Sequence, residues 1–92
     1  MPTELHDFGW ALHQIKAGKS VGRDSWIDGQ FVFLVSGSNF QVNRPPLLGI
    51  FTEGTKISYL PHLDWSDGNG DIGPWPKMDD DILAEDWFAF DN

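Results

Sequence analysis

The sequence contains no cysteine, so disulfide staples and thiolate metal sites are excluded. It has no long apolar run either. The longest, Phe31-Val32-Phe33-Leu34-Val35, is far too short to span a membrane. Basic residues are scarce: six Lys and Arg stand against fourteen Asp and Glu, for a formal net charge of −8. That balance argues against nucleic acid or an anionic membrane surface as a direct partner. Residues 1–20 include Glu4 and Asp7 and no apolar core, so no signal peptide is expected. Internal repeats and low-complexity linkers are also missing.

What is present is a globular chain of 92 residues and 10.4 kDa. This length allows a single domain, residues 1–92, that buries only about 60–65% of its unfolded surface, so a lone monomer would be marginal. Five Trp and seven Phe are a heavy aromatic load that serves cores, interfaces and base-stacking platforms alike. The charge is uneven. Residues 1–63 carry five acids and five bases, whereas residues 64–92 carry nine acids and the single base Lys77. The acidic third still holds Trp65, Ile72, Trp75, Ile82, Leu83, Trp87, Phe88 and Phe90, so it belongs to the same fold.

Asp7 is placed to cap a helix from Phe8, and Phe8, Ala11, Leu12 and Ile15 form one apolar stripe ended by Gly18. Trp10 lies about 200° around from Phe8, which points it to a second contact surface, an oligomer contact before a ligand site. Short strands are expected at Ser20–Arg23, Gln30–Ser36, Phe40–Asn43, Leu47–Phe51, Lys56–Leu60, Leu63–Trp65, Ile72–Trp75 and Asp86–Phe90. Ser36–Asn39 reads as a turn, and Thr52–Thr55 as the turn of a hairpin joining Leu47–Phe51 to Lys56–Leu60. Asp79 or Asp80 is placed to cap a short helical turn through Leu83. One helix followed by many short strands makes an α+β domain with a mostly antiparallel sheet.

Several motifs resemble chemistry. Gly68–Gly73 matches G-x-G-x-x-G, but Pro74-Trp75-Pro76 follows and cannot open the helix a phosphate cradle needs. A hairpin tip accounts for it better. Asp67, Asn69 and Asp71 alternate like the start of a calcium loop, yet Ile72 and Met78 stand where Gly and Glu belong, so no metal site is expected. His62 and Asp64 share a strand face and can be read as a general base with its orienter or as a structural pair; nothing supplies a nucleophile. Arg44, in Asn43-Arg44-Pro45-Pro46, is suited either to a phosphate or to the acidic last third. Trp26 and Phe31 flank the loop Ile27–Gln30. Such a pair can sandwich a purine, although periodicity alone favours a core pair.

Taken together, Asp7-Phe8-Gly9 with Ala11-Leu12, Ala17-Gly18-Lys19, Arg23-x-x-Trp26, Phe31–Val35, Val42–Leu47, Pro61-His62-x-Asp64, Pro74-Trp75 and Leu83–Trp87 resemble one family. It is the small phage and prophage family called Thoeris anti-defense protein two, and the resemblance runs over residues 7–87. It implies a sponge in the bacterial host cytoplasm. Such a protein binds a cyclic ADP-ribose-type immune signal, with cyclic dinucleotides in some members, and withholds it without cleavage or cofactor. It also implies homotetramers with ligand pockets between subunits. Trp26, Phe31 and Trp75 match the family's packing residues, and Arg23, Asn43, Arg44 and Asp86 are the expected polar contacts. Ser25 stands where the family usually has Gly, and Trp10 where a polar residue is usual. Two rival classes remain: a hydrolase of the same signal using His62 and Asp64, and an acidic nucleic-acid mimic that blocks a basic host protein.

Overall fold

A computed structural model of the chain describes residues 4–26 and 29–90. The elements in order are helix α1 (Phe8–Lys16), strands β1 (Val21–Arg23), β2 (Phe31–Val35), β3 (Ser38–Gln41), β4 (Lys56–Tyr59), β5 (His62–Ser66) and β6 (Ile72–Pro74), a one-turn helix α2 (Asp79–Ile82), and β7 (Trp87–Ala89). Five strands form an antiparallel sheet in the order β6-β5-β2-β1-β7, and β3 and β4 form a separate antiparallel pair. This is the α+β domain expected from the pattern of elements.

Helix α1 begins where its cap dictates. Asp7 is extended, and its Oδ1 accepts from the Trp10 N–H at 3.0 Å, satisfying one free donor of the first turn. Gly18 ends the helix at φ 93°, a left-handed conformation that glycine adopts without a Cβ clash. The stripe then settles on the sheet. Ala11 and Ile15 meet Val21, Val32, Trp75 and Trp87, all buried, with Phe8, Trp26, Leu63 and Trp65 packed around them. Val21 faces Val32 on one side and Ala89 on the other, so three neighbouring strands present small or branched residues to the helix. Each fully buried aliphatic or aromatic side chain contributes about 1.5–3 kcal/mol, and this layer supplies most of the cohesion.

The opposite face of the sheet carries Phe31 and Phe33 from β2 and Phe88 from β7, because successive residues alternate sides. Phe90 joins them, with ring centroids 5.9 Å from Phe31 and 5.1 Å from Phe88. Gly22 lies beneath this group. A Cβ there would stand 2.8 Å from the Gln30 carbonyl and 3.2 Å from the Phe90 ring.

The central hairpin β2–β5 continues into the β3–β4 arm with its pairing offset unchanged. Val35 faces His62, and after an interruption Ser38 faces Tyr59. At the interruption, a Cβ on Gly37 would lie 2.6 Å from the Tyr59 carbonyl, so the strands cross too closely for any other residue. Pro61 removes one ladder donor there. The arm therefore extends the molecule to 52 × 26 × 24 Å.

Several expectations are corrected by the fold. Ser36–Asn39 is an interruption and not a reversal, because Ser38 and Asn39 already belong to β3. The partner of β4 is β3, not Leu47–Phe51. Residues 47–51 are wound into turns, with the Phe51 N–H donating to the Leu47 carbonyl at 2.8 Å, so their apolar run never extends. Helix α2 has Met78 at its N-cap and no side-chain capping bond. Trp10 is not among these corrections: it stacks on His6 at 3.8 Å between centroids and stays half-buried.

Candidate functional site

The residues nominated from sequence fall into three places. The first surrounds the end of β1. The Arg23 guanidinium donates from Nε to Asp86 Oδ1 and from Nη1 to Asp81 Oδ1, both at 2.8 Å. Asp86 Oδ2 also accepts from the Ser25 N–H at 3.1 Å. Burial alone would raise the Asp86 carboxyl, but the bonds from Arg23 and Ser25 outweigh it and hold the group below its ordinary value. Burial likewise works against the Arg23 charge, and the carboxylates of Asp86 and Asp81 outweigh it and raise its pKa. Arg23 and Asp86 thus come together, but on each other. Asp81, two residues before the Leu83–Trp87 motif, completes the cluster; its only sequence signal is the acidic run Asp79–Asp81.

Trp26 sits beside this cluster, its N–H donating to the Arg23 carbonyl at 3.0 Å. Its ring packs edge-on to Trp87, 5.3 Å between centroids and 77° between planes, and remains half-buried. Ile27 and Asp28 of the loop that follows lie outside the described residues. Trp75 is deeper, 4% exposed, between Phe8 and Trp87 with centroids at 5.7 and 6.0 Å. In this chain Trp75 is a core residue enclosed by other side chains, whereas Trp26 makes one edge contact with Trp87 and stays half-buried.

The second place is on the open sheet face. Phe31 packs with Phe33 and Phe90, not with Trp26, and lines a recess of about 260 Å³ with Ser20, Gly29, Gly68 and Phe90. Phe90 was missed from sequence because only the fold returns the end of the chain to β2. The third place is the arm. Asn43 and Arg44 line a recess of about 470 Å³ with Phe40, Val42, Pro46 and Leu47. Arg44 is exposed and forms no ion pair among the described residues. The acidic last third therefore does not engage it within the described part of the chain.

The other motifs resolve simply. Gly68–Gly73 lies at the β5–β6 hairpin, where Asp67 Oδ1 accepts from the N–H groups of Asn69 and Asp71 and Gly68 and Gly70 have positive φ. Among the described residues no cluster of three or more His, Asp or Glu is arranged to hold a metal ion. His62 and Asp64 do meet, Nε2 to Oδ1 at 3.4 Å, with Nδ1 at 3.2 Å from the Leu60 carbonyl. No helix of the described residues is long and apolar enough to cross a membrane.

Comparison with curated proteins finds no match to this chain. The family model described as the Thoeris anti-defense 2-like domain matches residues 6–90, a span that includes α1, the whole sheet, the arm and all seven nominated site residues. The chain therefore belongs to the Thoeris anti-defense 2-like family, and its general role is anti-defense against Thoeris immunity.

Proposed function

We propose that this protein acts as a sponge: it binds a cyclic ADP-ribose-type signal and holds it away from its effector without breaking it. The observation that carries this reading is the state of the two arginines. Arg23 is committed to Asp81 and Asp86, whereas Arg44 stands uncommitted beside Asn43 in a recess of about 470 Å³. An uncommitted guanidinium beside an amide suits a diphosphate, which it can meet bidentately. The base would find an aromatic surface either at the half-buried Trp26 or at Phe31 on the other face of the sheet, and the Asp86 carboxylate would accept from ribose hydroxyls if Arg23 yields one of its bonds. Phe31 lines a recess on the sheet face and Arg44 a separate one on the arm, and on this reading a ligand that uses both lies between copies. This is in keeping with the homotetramer that the resemblance implies. Cyclic dinucleotides are the second ligand class on this reading.

The test is to purify the protein from cells making such a signal, unfold it by heat, and analyse the released small molecules by mass spectrometry. Intact cyclic nucleotide is expected from the wild type. Arg44→Ala, at an exposed position, and Trp26→Ala should release none while keeping the wild-type mass in solution. Release of a linear product would replace the sponge by the hydrolase, for which the 3.4 Å contact of His62 with Asp64 is the one favouring observation. Protein that inhibits Thoeris yet releases no nucleotide would point instead to the acidic mimic.

A further inference from the structure

Asparagine followed by glycine occurs once in the sequence, at Asn69-Gly70; Asn39 precedes Phe40 and Asn43 precedes Arg44. The pair is chemically distinct. Glycine has no Cβ, so little screens its amide nitrogen from the side-chain carbonyl carbon of the residue before it. The fold sets this pair at the tip of the β5–β6 hairpin, beyond the last facing residues Ser66 and Ile72. Both residues are exposed.

The tip holds a second pair of the same geometry, Asp67-Gly68, and treats the two differently. At Asp67-Gly68 both reacting groups are occupied. The Gly68 N–H donates to the Ser66 hydroxyl at 3.1 Å, and Asp67 Oδ1 accepts from the N–H groups of Asn69 and Asp71 at 2.7 and 3.2 Å. At Asn69-Gly70 neither reacting group is held. Among the described residues the side-chain amide of Asn69 and the Gly70 N–H take part in no hydrogen bond, so both are left to water. A Cβ at Gly70 would meet nothing within 4 Å, and its φ of 112° is one that glycine adopts freely.

We propose that Asn69, and not Asp67, is a site of spontaneous modification, at which the side-chain amide becomes a carboxylate with water as the only co-reactant. The Gly70 nitrogen attacks Asn69 Cγ. The new N–Cγ bond forms, the Cγ–Nδ2 bond breaks, and ammonia leaves with the proton given up by the Gly70 amide. Water then opens the five-membered ring. Addition at Cγ restores the ordinary link and leaves an aspartyl side chain. Addition at the backbone carbonyl carbon leaves an isoaspartyl link, in which the chain runs through the former side chain. Either product sets one more negative charge between Asp67 and Asp71, in the part of the chain that already carries nine of the fourteen acids. The isoaspartyl product also lengthens the tip by one backbone carbon. Gly68, the neighbour of Asn69, lines the recess of about 260 Å³ with Phe31 and Phe90, so the change is made beside that recess. The chemistry needs no ligand and stands apart from the function proposed above.

The experiment uses the full chain, incubated in neutral buffer either folded or unfolded in guanidinium. Isoelectric focusing follows the charge, peptide mapping by mass spectrometry locates the change, and an isoaspartate-specific methyltransferase reads the isoaspartyl links. In the folded chain a more acidic species should replace the starting one, with amide loss and isoaspartyl links both at Asn69. Its rate should lie within about tenfold of the unfolded rate, because an exposed tip reacts without opening. Isoaspartyl links at Asp67 should form in the unfolded chain and not in the folded one. Asn69→Gln keeps the amide but would have to close a six-membered ring, so it should stay a single species, with circular dichroism showing that it is folded. A folded chain that keeps its Asn69 amide while the unfolded chain loses it would overturn the proposal. So would an acidic species that maps to Asn39 or Asn43, an Asn69→Gln variant that acidifies at the wild-type rate, or equal isoaspartyl formation at Asp67 and Asn69 in the folded chain.

Discussion

Replacing Arg23 with Met keeps the aliphatic stem and removes the guanidinium that links β1 to α2 and to the approach to β7. Two carboxylates lose their partner. Arg23, Asp81 and Asp86 have side chains only 17%, 12% and 24% exposed, so water replaces the lost bonds poorly. Breaking a buried pair costs about 3–5 kcal/mol, and a charge-assisted hydrogen bond contributes about 1.5–3 kcal/mol net. The residual exposure here places the expected loss at about 2–4 kcal/mol, a large part of the about 5–14 kcal/mol available to a 92-residue domain. At about 4–8 °C per kcal/mol, the melting temperature should fall by about 10–30 °C. Urea unfolding of Arg23→Met, Asp86→Asn and the double variant gives the coupling directly, and a value of at least about 1 kcal/mol is expected. The pH dependence supplies an independent reading. Arg23 holds the folded Asp86 below its ordinary value of 3.8, so the contribution is complete above that value and is lost as pH falls through the folded one. The acid limb of the wild type should therefore be steeper than that of Arg23→Met. Coupling below about 0.5 kcal/mol, with superimposable acid limbs, would refute the reasoning.

Two further outcomes follow from the packing. Trp75→Ala should cost about 3–5 kcal/mol, because the indole is buried among Phe8 and Trp87, and thermal melts should show the loss before any binding assay is read. Gly37→Ala should loosen the arm while sparing the core: the new methyl meets the Tyr59 carbonyl, and hydrogen exchange should speed up at residues 38–41 and 56–59 but not in α1.

Much of the fold was legible because local chemistry and tertiary structure agree. Asp7 and Gly18 bracket α1 where the apolar stripe requires it, and the Gly-rich segment after Ser66 closes the β5–β6 hairpin. The arm was misread at one strand. Leu47–Phe51 has strand composition, but its backbone bonds to itself in turns, and no periodicity reveals that Phe40 and Ile57 are opposite neighbours. The candidate site was legible as residue types and not as an arrangement. Arg23 and Asp86 were singled out separately, yet they are 63 positions apart and bind each other. Trp75 follows a proline and looks like a loop aromatic, but Trp75 N–H donates to the Leu63 carbonyl at 3.2 Å, which extends the β5–β6 pairing and carries the ring into the core.

The unchanged pairing offset through the Gly37–Pro61 interruption also governs how this chain can vary in length. One residue inserted into β3 alone would exchange its inward and outward sides, setting Asn39 and Gln41 where Phe40 now lies. The same slip carried into β2 would bring Phe31 and Phe33 under the helix and expel Val32. The stretch between Val42 and Thr55 is bound by no such ladder, since its backbone closes on itself in turns. Insertions and deletions are therefore tolerated at the far end of the arm, next to Arg44. The recess there can be reshaped while the body beneath it stays in register.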